Sequence, residues 1–251
     1  MEKISIRNFN FYKNNNILIK NLNLSIKENE VFTVFGPDFL SLGIILYAIN
    51  RSFDSVSDVS FDGEILLNGE NIYDPNLSVS ELRRKVSLIT AVPHTLPMSI
   101  FDNVAFGMRS ATKRNNDAVI AEVVEQTLTQ ADLWKETKDK LFEDAATTLT
   151  FGEQQRLSLA RVLAMKPEII LLERPCMGLN LIEAAKLSVA ILKLKHDHTF
   201  FHATDDVLQA KSISDRAAFI LDGELIELGD VEEVLFNTTN PQTRAFIDAM
   251  Y

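Results

Sequence analysis

The chain has 251 residues, of which 46% are hydrophobic and 24% charged, with a formal net charge of −10 and a pI of about 4.9. This acidic balance argues against a nucleic-acid backbone or an anionic membrane surface as the main partner. The length suits one large α/β domain or two small ones. The single cysteine, Cys176, cannot form an internal disulfide, which fits a reducing, cytoplasmic compartment.

The apolar pattern predicts neither a signal peptide nor a membrane span. The N-terminal segment MEKISIRNFNFYKNNN has no apolar h-region. The longest apolar stretch, 39–49, covers about half of the roughly 20 residues that a bilayer span needs. We therefore expect no direct membrane insertion, and any membrane association would place the chain peripherally on the inner face through a partner.

The first part of the chain predicts mainly strands. ISIRNFNFY and NLNLSI alternate apolar and polar residues, as half-buried strands do. EVFTVFG is a continuous apolar run that ends at Gly36 and suits a buried parallel strand. FDGEILLNGENIY predicts a strand, an Asn-Gly turn and a short second strand.

The rest of the chain alternates between helix and strand. Residues 78–92 predict a short helix and then a strand, and the pattern from His94 to Lys166 is helical. Two further buried strands are expected at 168–173 and 198–204, and a hairpin turns at Asp222-Gly223. This order predicts one α/β core with an inserted helical subdomain.

Four stretches in this order and spacing resemble a known family: 63–89, 96–109, 149–175 and 222–230. The sequence GEILLNGENIYDPNLSVSELRRKVSLI and the three others are similar to the ATP-binding cassette (ABC) ATPases, and within them to the ATPase subunit of bacterial phosphate importers. The resemblance covers nearly the whole chain. It implies a RecA-like α/β core with an N-terminal antiparallel β-subdomain, formed by 1–92 and 166–251. The inserted α-helical subdomain would be 93–165 of a single domain, 1–251.

The family's phosphate loop reads Gly-x-x-x-x-Gly-Lys-Ser/Thr, and most of it is altered here. Only its first glycine matches; the second falls on Ser41, the lysine on Leu42 and the magnesium-binding hydroxyl on Gly43. A leucine cannot neutralise phosphate, and a glycine offers Mg²⁺ no oxygen. A middle glycine falls on Phe39, which should reshape the turn. The vestigial loop comprises Gly36, Pro37, Asp38, Phe39, Ser41, Leu42, Gly43 and Ile44.

The family's signature Leu-Ser-Gly-Gly-Gln becomes LTFGE here, formed by Leu149, Thr150, Phe151, Gly152 and Glu153. The hydroxyl at Thr150 and one glycine remain. Glu153 replaces the glutamine and would face a phosphate with like charge.

The residues that the resemblance assigns to catalysis have also changed. The metal-linking glutamine falls on Ala91, the Asp-Glu strand end on Glu173-Arg174, and the switch histidine on Asp205. The aspartate of the following loop falls on Asn180. Glu173 could still approach Mg²⁺, whereas Arg174 cannot act as a general base. Arg174 could instead neutralise Asp38 and Asp205. We expect no intact catalytic residue, no metal site and no cofactor, although the family uses ATP and Mg²⁺.

The segment LPMSIFDNVAFG, by contrast, matches the family almost throughout. In the family it lies beside the groove that receives a permease's coupling helix. The predicted partner interface is Pro97, Met98, Ser99, Ile100 and Phe101. A fold requirement explains Ile100, Phe101 and Val104. It explains Pro97, Ser99, Asp102 and Asn103 less well, so docking is the functional interpretation.

Three functional hypotheses follow. The first is a pseudo-ATPase that acts as an interaction or structural subunit on permease-type membrane subunits or with an active ABC ATPase paralogue. The second is an impaired but working ATPase of a phosphate importer, and the third a regulator that binds another small ligand in the remodelled pocket. The sequence is also compatible with a homodimer. His196, His198 and His202 would share a face if all were in one strand, but a loop is the better interpretation of this segment.

Overall fold

The computed structural model describes residues 1–111 and 117–250 and divides into two compact units. The first comprises Met1–Leu88, Glu168–Arg174 and Lys195–Tyr251, and the second Ile89–Pro167 and Pro175–Leu194. The second unit thus includes a helical segment after 174 that sequence analysis placed in the core. Residues 112–116 of the predicted helical block lie outside the described residues. The division into subregions of a single domain stays a prediction.

The strands all lie where the sequence predicted them, and the described residues form ten: β1 Glu2–Lys13, β2 Asn16–Lys27, β3 Val31–Phe35, β4 Val59–Leu67, β5 Glu70–Asn71, β6 Val86–Ile89, β7 Ile169–Glu173, β8 Thr199–Thr204, β9 Arg216–Leu221 and β10 Glu224–Asp230. They form an antiparallel sheet in the order β2-β1-β4-β5 and a mixed sheet in the order β10-β9-β3-β8-β7-β6. The Asn68-Gly69 and Asp222-Gly223 turns have positive φ at all four residues, as tight hairpin turns require.

The mixed sheet explains the continuous apolar runs in the sequence. Strand β3 pairs in parallel with β8 and β9, and β7 pairs in parallel with β8. Every residue of β3, β7 and β8 is buried. Strands covered on both faces need apolar residues at successive positions rather than at alternate ones. The α/β architecture with an antiparallel β-sheet is therefore confirmed.

The described helices are α1 Phe39–Ile49, α2 Val79–Lys85, α3 Ile100–Ala111, α4 Asp117–Gln130, α5 Trp134–Thr137, α6 Ala145–Thr148, α7 Phe151–Leu163, α8 Leu181–Leu194, α9 Val207–Ile213 and α10 Pro241–Asp248, with a π-helix at Glu232–Phe236. Helices α3 to α8 belong to the second unit. Over residues 1–111 and 117–250, none of the helices combines the length and the apolar character needed to cross a bilayer.

The histidine in β8 is part of the core. Both ring nitrogens of His202 have polar neighbours, the Thr33 hydroxyl at 3.1 Å and the Gln209 side-chain oxygen at 3.2 Å. Burial lowers the pKa of His202 to about 3, so the ring is neutral at pH 7. This histidine therefore supports the interior of the sheet and does not face outward with His196 and His198.

Candidate functional site

The turn from β3 into α1 retains its first glycine for a packing reason. A Cβ atom at Gly36 would lie 2.1 Å from the backbone oxygen of Ile220 in β9. No side chain can occupy that space, so glycine is required for the close approach of the two backbones. Retention of Gly36 is thus explained without a ligand.

Asp38 caps the helix that a phosphate would need. Its carboxylate accepts a hydrogen bond from the Leu40 N–H at 3.1 Å and a short one from the Ser41 hydroxyl. The first N–H groups of a helix have no partner within the helix, and together with the helix dipole they form an anion site. Here a carboxylate of the chain itself occupies that position. The sequence-based expectation that Arg174 pairs with Asp38 is wrong. The Asp38 carboxylate oxygens accept hydrogen bonds from Leu40 and Ser41 instead.

The residues that follow have helical geometry and turn toward the core. No residue from 36 to 44 has a positive φ, and Phe39 is the first residue of α1. Leu42, at the register position of the lysine, is fully buried, and Ile44 is 3% exposed. Position 42 therefore serves the hydrophobic core, and the glycine-dependent curvature of a phosphate loop is absent from this segment.

The end of β7 is held by partners within the first unit. The Tyr47 hydroxyl donates a hydrogen bond to the Glu173 carboxylate at 2.6 Å. Burial, with a further contribution from this bond, raises the pKa of Tyr47, so that its hydroxyl remains a donor. The next residue, Arg174, forms an ion pair with Asp205 at 3.0 Å, as predicted, and its guanidinium lies 4.6 Å from the centre of the Phe39 ring.

These residues do not fit a magnesium nucleotide. The helix N-terminus is capped by Asp38, Leu42 carries no charge and Gly43 has no hydroxyl. Glu173 and Arg174, which the resemblance aligns with the family's catalytic pair, have tyrosine and aspartate partners. Among the described residues, no group of three or more His, Cys, Asp or Glu side chains is arranged to hold a metal ion.

A cavity of about 200 Å³ adjoins the start of α1 within the first unit. Four aromatic residues from three separate parts of the chain line it: Phe11, Phe39, Tyr47 and Phe53. Glu173 and Lys13 are polar members of its wall. No single sequence motif contains the lining of this cavity, so the sequence did not indicate it.

In the second unit, the last three residues of the altered signature begin α7, and side chains of the signature itself cap this helix. The Thr150 hydroxyl accepts from the Glu153 N–H at 3.3 Å, and the Glu153 carboxylate accepts from the Thr150 N–H at 2.9 Å. This reciprocal pair is a capping box for α7. Gly152 is needed there because a Cβ atom would lie 2.7 Å from the Glu183 side chain. The carboxylate of Glu153 therefore satisfies the chain's own backbone.

Of the remaining motif positions, two are buried, one is partly exposed and one caps a helix. Leu149 and Ala91 are buried, whereas Phe151 is 40% exposed. The Asn180 side chain caps α8 by accepting from two backbone N–H groups at 3.0 Å. Arg156 is fully buried and forms an ion pair with Glu183 at 2.9 Å, which links α7 to α8 and explains why α8 belongs to the second unit.

The polar residues of the predicted partner interface are explained by local hydrogen bonds. The Ser99 hydroxyl accepts from the Asp102 N–H at 3.0 Å, and the Arg109 guanidinium pairs with Asp102 at 2.6 Å. Asn103 is 1% exposed, and its amide donates to three backbone carbonyls and accepts from the Leu96 N–H. Their match to the family therefore needs no docking explanation, which corrects the sequence-based argument.

The exposed part of this region is aromatic. Phe142 is 79% exposed and stacks on Phe101, with ring centres 5.4 Å apart. Pro97 is exposed and Met98 partly exposed. Ile100 is fully buried, so its assignment to the predicted interface is wrong and it belongs to the core. We call Pro97, Met98, Phe101 and Phe142 the aromatic surface. Phe142 lies outside the segment that matches the family, so the sequence did not single it out.

Comparisons with known proteins give the family from a sequence model and the fold from solved structures. The family model described as ABC transporter matches residues 19–177, more than half of the chain. The structure of cbiO1 from Clostridium perfringens, described as part of the ABC transporter complex cbiONQ, is similar with a TM-score of 0.81 at 20% identity, over 93% of this chain and 91% of that one. A bacterial Atm1-family ABC exporter with ATP bound is similar with a TM-score of 0.77 at 17% identity, over 97% of this chain and 41% of the exporter. The chain belongs to the ABC transporter family.

Proposed function

We propose that this ABC-type domain does not hydrolyse ATP and acts as an interaction or structural subunit. One observation carries the proposal: Asp38 caps the N-terminus of α1 while Leu42, at the register position of the lysine, is fully buried. A phosphate placed at this N-terminus would meet the Asp38 carboxylate and would find no cation at position 42. Two like charges about 4 Å apart repel by about 4 kcal/mol at an effective dielectric constant of about 20.

The second unit supports the same proposal independently. The capping box of Thr150 and Glu153 places a carboxylate at the N-terminus of α7, where the family's signature contacts phosphate. In a paired ABC site, one chain supplies the phosphate loop and the other the signature. Because both segments are altered here, pairing with an active paralogue would impair both composite sites.

Permease-type membrane subunits are the partner that we propose, with a homodimer or an active paralogue as the alternative. The exposed aromatic surface supplies a contact region that does not depend on nucleotide. The similar protein cbiO1 is described as part of a transporter complex. Kinship with phosphate importers rests on the sequence resemblance in 63–109. A position on the inner face of the membrane would follow from such docking.

Hydrolysis is tested by steady-state phosphate release with Mg-ATP. We expect no turnover above that of a protein-free control. Turnover that depends on magnesium and disappears in Glu173→Gln would support the alternative of an impaired but working ATPase.

Docking is tested by co-expression with the two permease subunits of a phosphate importer, followed by co-purification. We expect Phe142→Asp to abolish the association without unfolding the chain, because Phe142 is 79% exposed. Phe236→Asp is the matched control, since Phe236 is a 51% exposed phenylalanine of the first unit. Association that survives Phe142→Asp would remove the aromatic surface from the proposal.

A further inference from the structure

The cavity beside α1 differs in chemistry from a nucleotide site. Its wall contains Phe11, Phe39, Tyr47 and Phe53, with Phe11 and Phe53 in ring contact at 4.7 Å and Tyr47 and Phe53 at 5.8 Å. Aromatic rings have negatively polarised faces that attract organic cations. The four rings themselves offer no positive charge to a triphosphate.

A carboxylate in the same wall lacks a cationic partner. Glu173 is 6% exposed, and Tyr47, a neutral donor, supplies its one hydrogen bond from within residues 1–111 and 117–250. No ion pair to Glu173 forms within that described part of the chain. A carboxylate can accept about four hydrogen bonds, and a nearly buried one is stabilised strongly by a cation.

The other charges near the cavity do not remove this preference. Arg174 is paired with Asp205 and stacked on Phe39. Lys13 lines the cavity but is itself exposed, so that solvent screens its charge. The charged group that is buried in the wall is therefore the Glu173 carboxylate, whereas the Lys13 ammonium is exposed to solvent.

We propose that this cavity binds a small organic ammonium ion, with an apolar or aromatic body between the rings and its protonated nitrogen on Glu173. The cavity volume of about 200 Å³ suits a single-ring molecule. The inference goes beyond the proposed function, because it assigns a ligand class to a site that the family uses for nucleotide.

The test is a ligand-observed NMR titration with three probes of similar shape: 2-phenylethylamine, which is cationic, 2-phenylethanol, which is neutral, and phenylacetate, which is anionic. We expect the amine to bind roughly tenfold more tightly than the alcohol, and the anion most weakly. Equal binding of the three, tighter binding of the anion, or no binding of the amine would overturn the proposal.

Three variants assign the binding to this cavity. Glu173→Gln keeps the shape and should remove the roughly tenfold preference for the amine, whereas Lys13→Met should strengthen amine binding by removing a like charge. Gly43→Leu should block all three probes, since a Cβ atom at Gly43 lies 3.5 Å from the Tyr47 ring and 3.6 Å from Glu173 Oε1. Unchanged amine affinity in folded Glu173→Gln would overturn the proposal even if Gly43→Leu failed to fold.

A parallel titration with Mg-ATP separates the two proposals. Displacement of the amine by Mg-ATP would contradict the proposed function and leave the amine site in place. Absence of binding by both ligands would overturn the amine site and leave the proposed function unaffected.

Discussion

The helices α1 and α7 begin at the two segments that the sequence resemblance aligns with the family's phosphate contacts, and each has a carboxylate of the chain itself in its N-terminal cap. They differ in how deep the change extends. At α1, Leu42 belongs to the fully buried core, and Asp38 caps the helix from the surface. At α7, Thr150 and Gly152 remain, and Glu153 forms a cap that is exposed to solvent.

The two helices differ from the family sequence at different depths of the structure. A surface cap can be exchanged with little effect on its surroundings, because its interactions are local. A residue packed on all sides cannot, because its neighbours have no space for another shape or for an unpaired charge. We therefore expect large effects of restoring family residues at α1 and small ones at α7.

The largest effect is expected from Leu42→Lys, which restores the family's lysine. At a fully buried position the ammonium loses its hydration, and we expect a loss on the order of 4 kcal/mol or more in the free energy of unfolding. Leu42→Met is the volume-matched control and should lose less than about 1.5 kcal/mol. Urea denaturation measures both. A lysine variant as stable as the parent would show that position 42 faces solvent or a ligand.

Next in size is the contrast between Gly36, which precedes α1, and Gly43, which lies within it. Gly36→Ala places a Cβ atom 2.1 Å from the Ile220 oxygen and should destabilise the chain by about 2–3 kcal/mol. Gly43→Ala adds ordinary contacts inside α1 and should stabilise it by about 0.4–1 kcal/mol. Melting temperatures of the two variants check the opposite signs, and equal signs would contradict the packing described here.

A smaller effect is expected from Asp38→Ala, which removes the cap of α1. The loss should be about 1 kcal/mol, since the Leu40 N–H loses its acceptor and the positive end of the helix dipole loses a nearby negative charge. Asp38→Asn retains the side-chain oxygen and should remain near the parent. The idea of a self-capped helix fails if alanine and asparagine behave alike in urea denaturation.

The smallest effect is expected from Glu153→Gln, which restores the family's glutamine at α7. Glutamine can still accept from the Thr150 N–H, so the free energy of unfolding should change by less than about 0.5 kcal/mol. Thr150→Ala is the comparison variant and should lose about 1 kcal/mol. A large effect of Glu153→Gln would mean that α7 is as deeply remodelled as α1.

The sequence predicted the strands well because their signals are local. Apolar runs marked β3, β7 and β8, and the Asn-Gly and Asp-Gly dipeptides marked two hairpins. The assignment of Asp38, Leu42, Glu153 and Arg174 to altered nucleotide positions rests on the family register and stays a prediction. The pairing of Arg174 with Asp205 could be anticipated from opposite charges at two strand ends that the fold brings together.

What the sequence did not reveal depends on contacts between distant segments. Ser41 rather than Arg174 holds Asp38, and Asn103 serves the backbone around it rather than a docking surface. The aromatic cavity combines residues from β1, α1 and the segment around Phe53, so no spacing in the sequence indicates it. Such assignments need side-chain geometry, because one polar residue can serve a cap, a core or an interface.

Unfolding of the parent chain in the presence of Mg-ATP tests most directly whether the phosphate site has been lost. At about 10 mM Mg-ATP, a Kd of about 0.1 mM would raise the free energy of unfolding by about 2.7 kcal/mol. We expect no rise beyond that produced by magnesium chloride at matched ionic strength, because Asp38 caps α1 and Leu42 supplies no charge. A rise of the calculated size, absent from the salt control, would contradict the loss of phosphate binding.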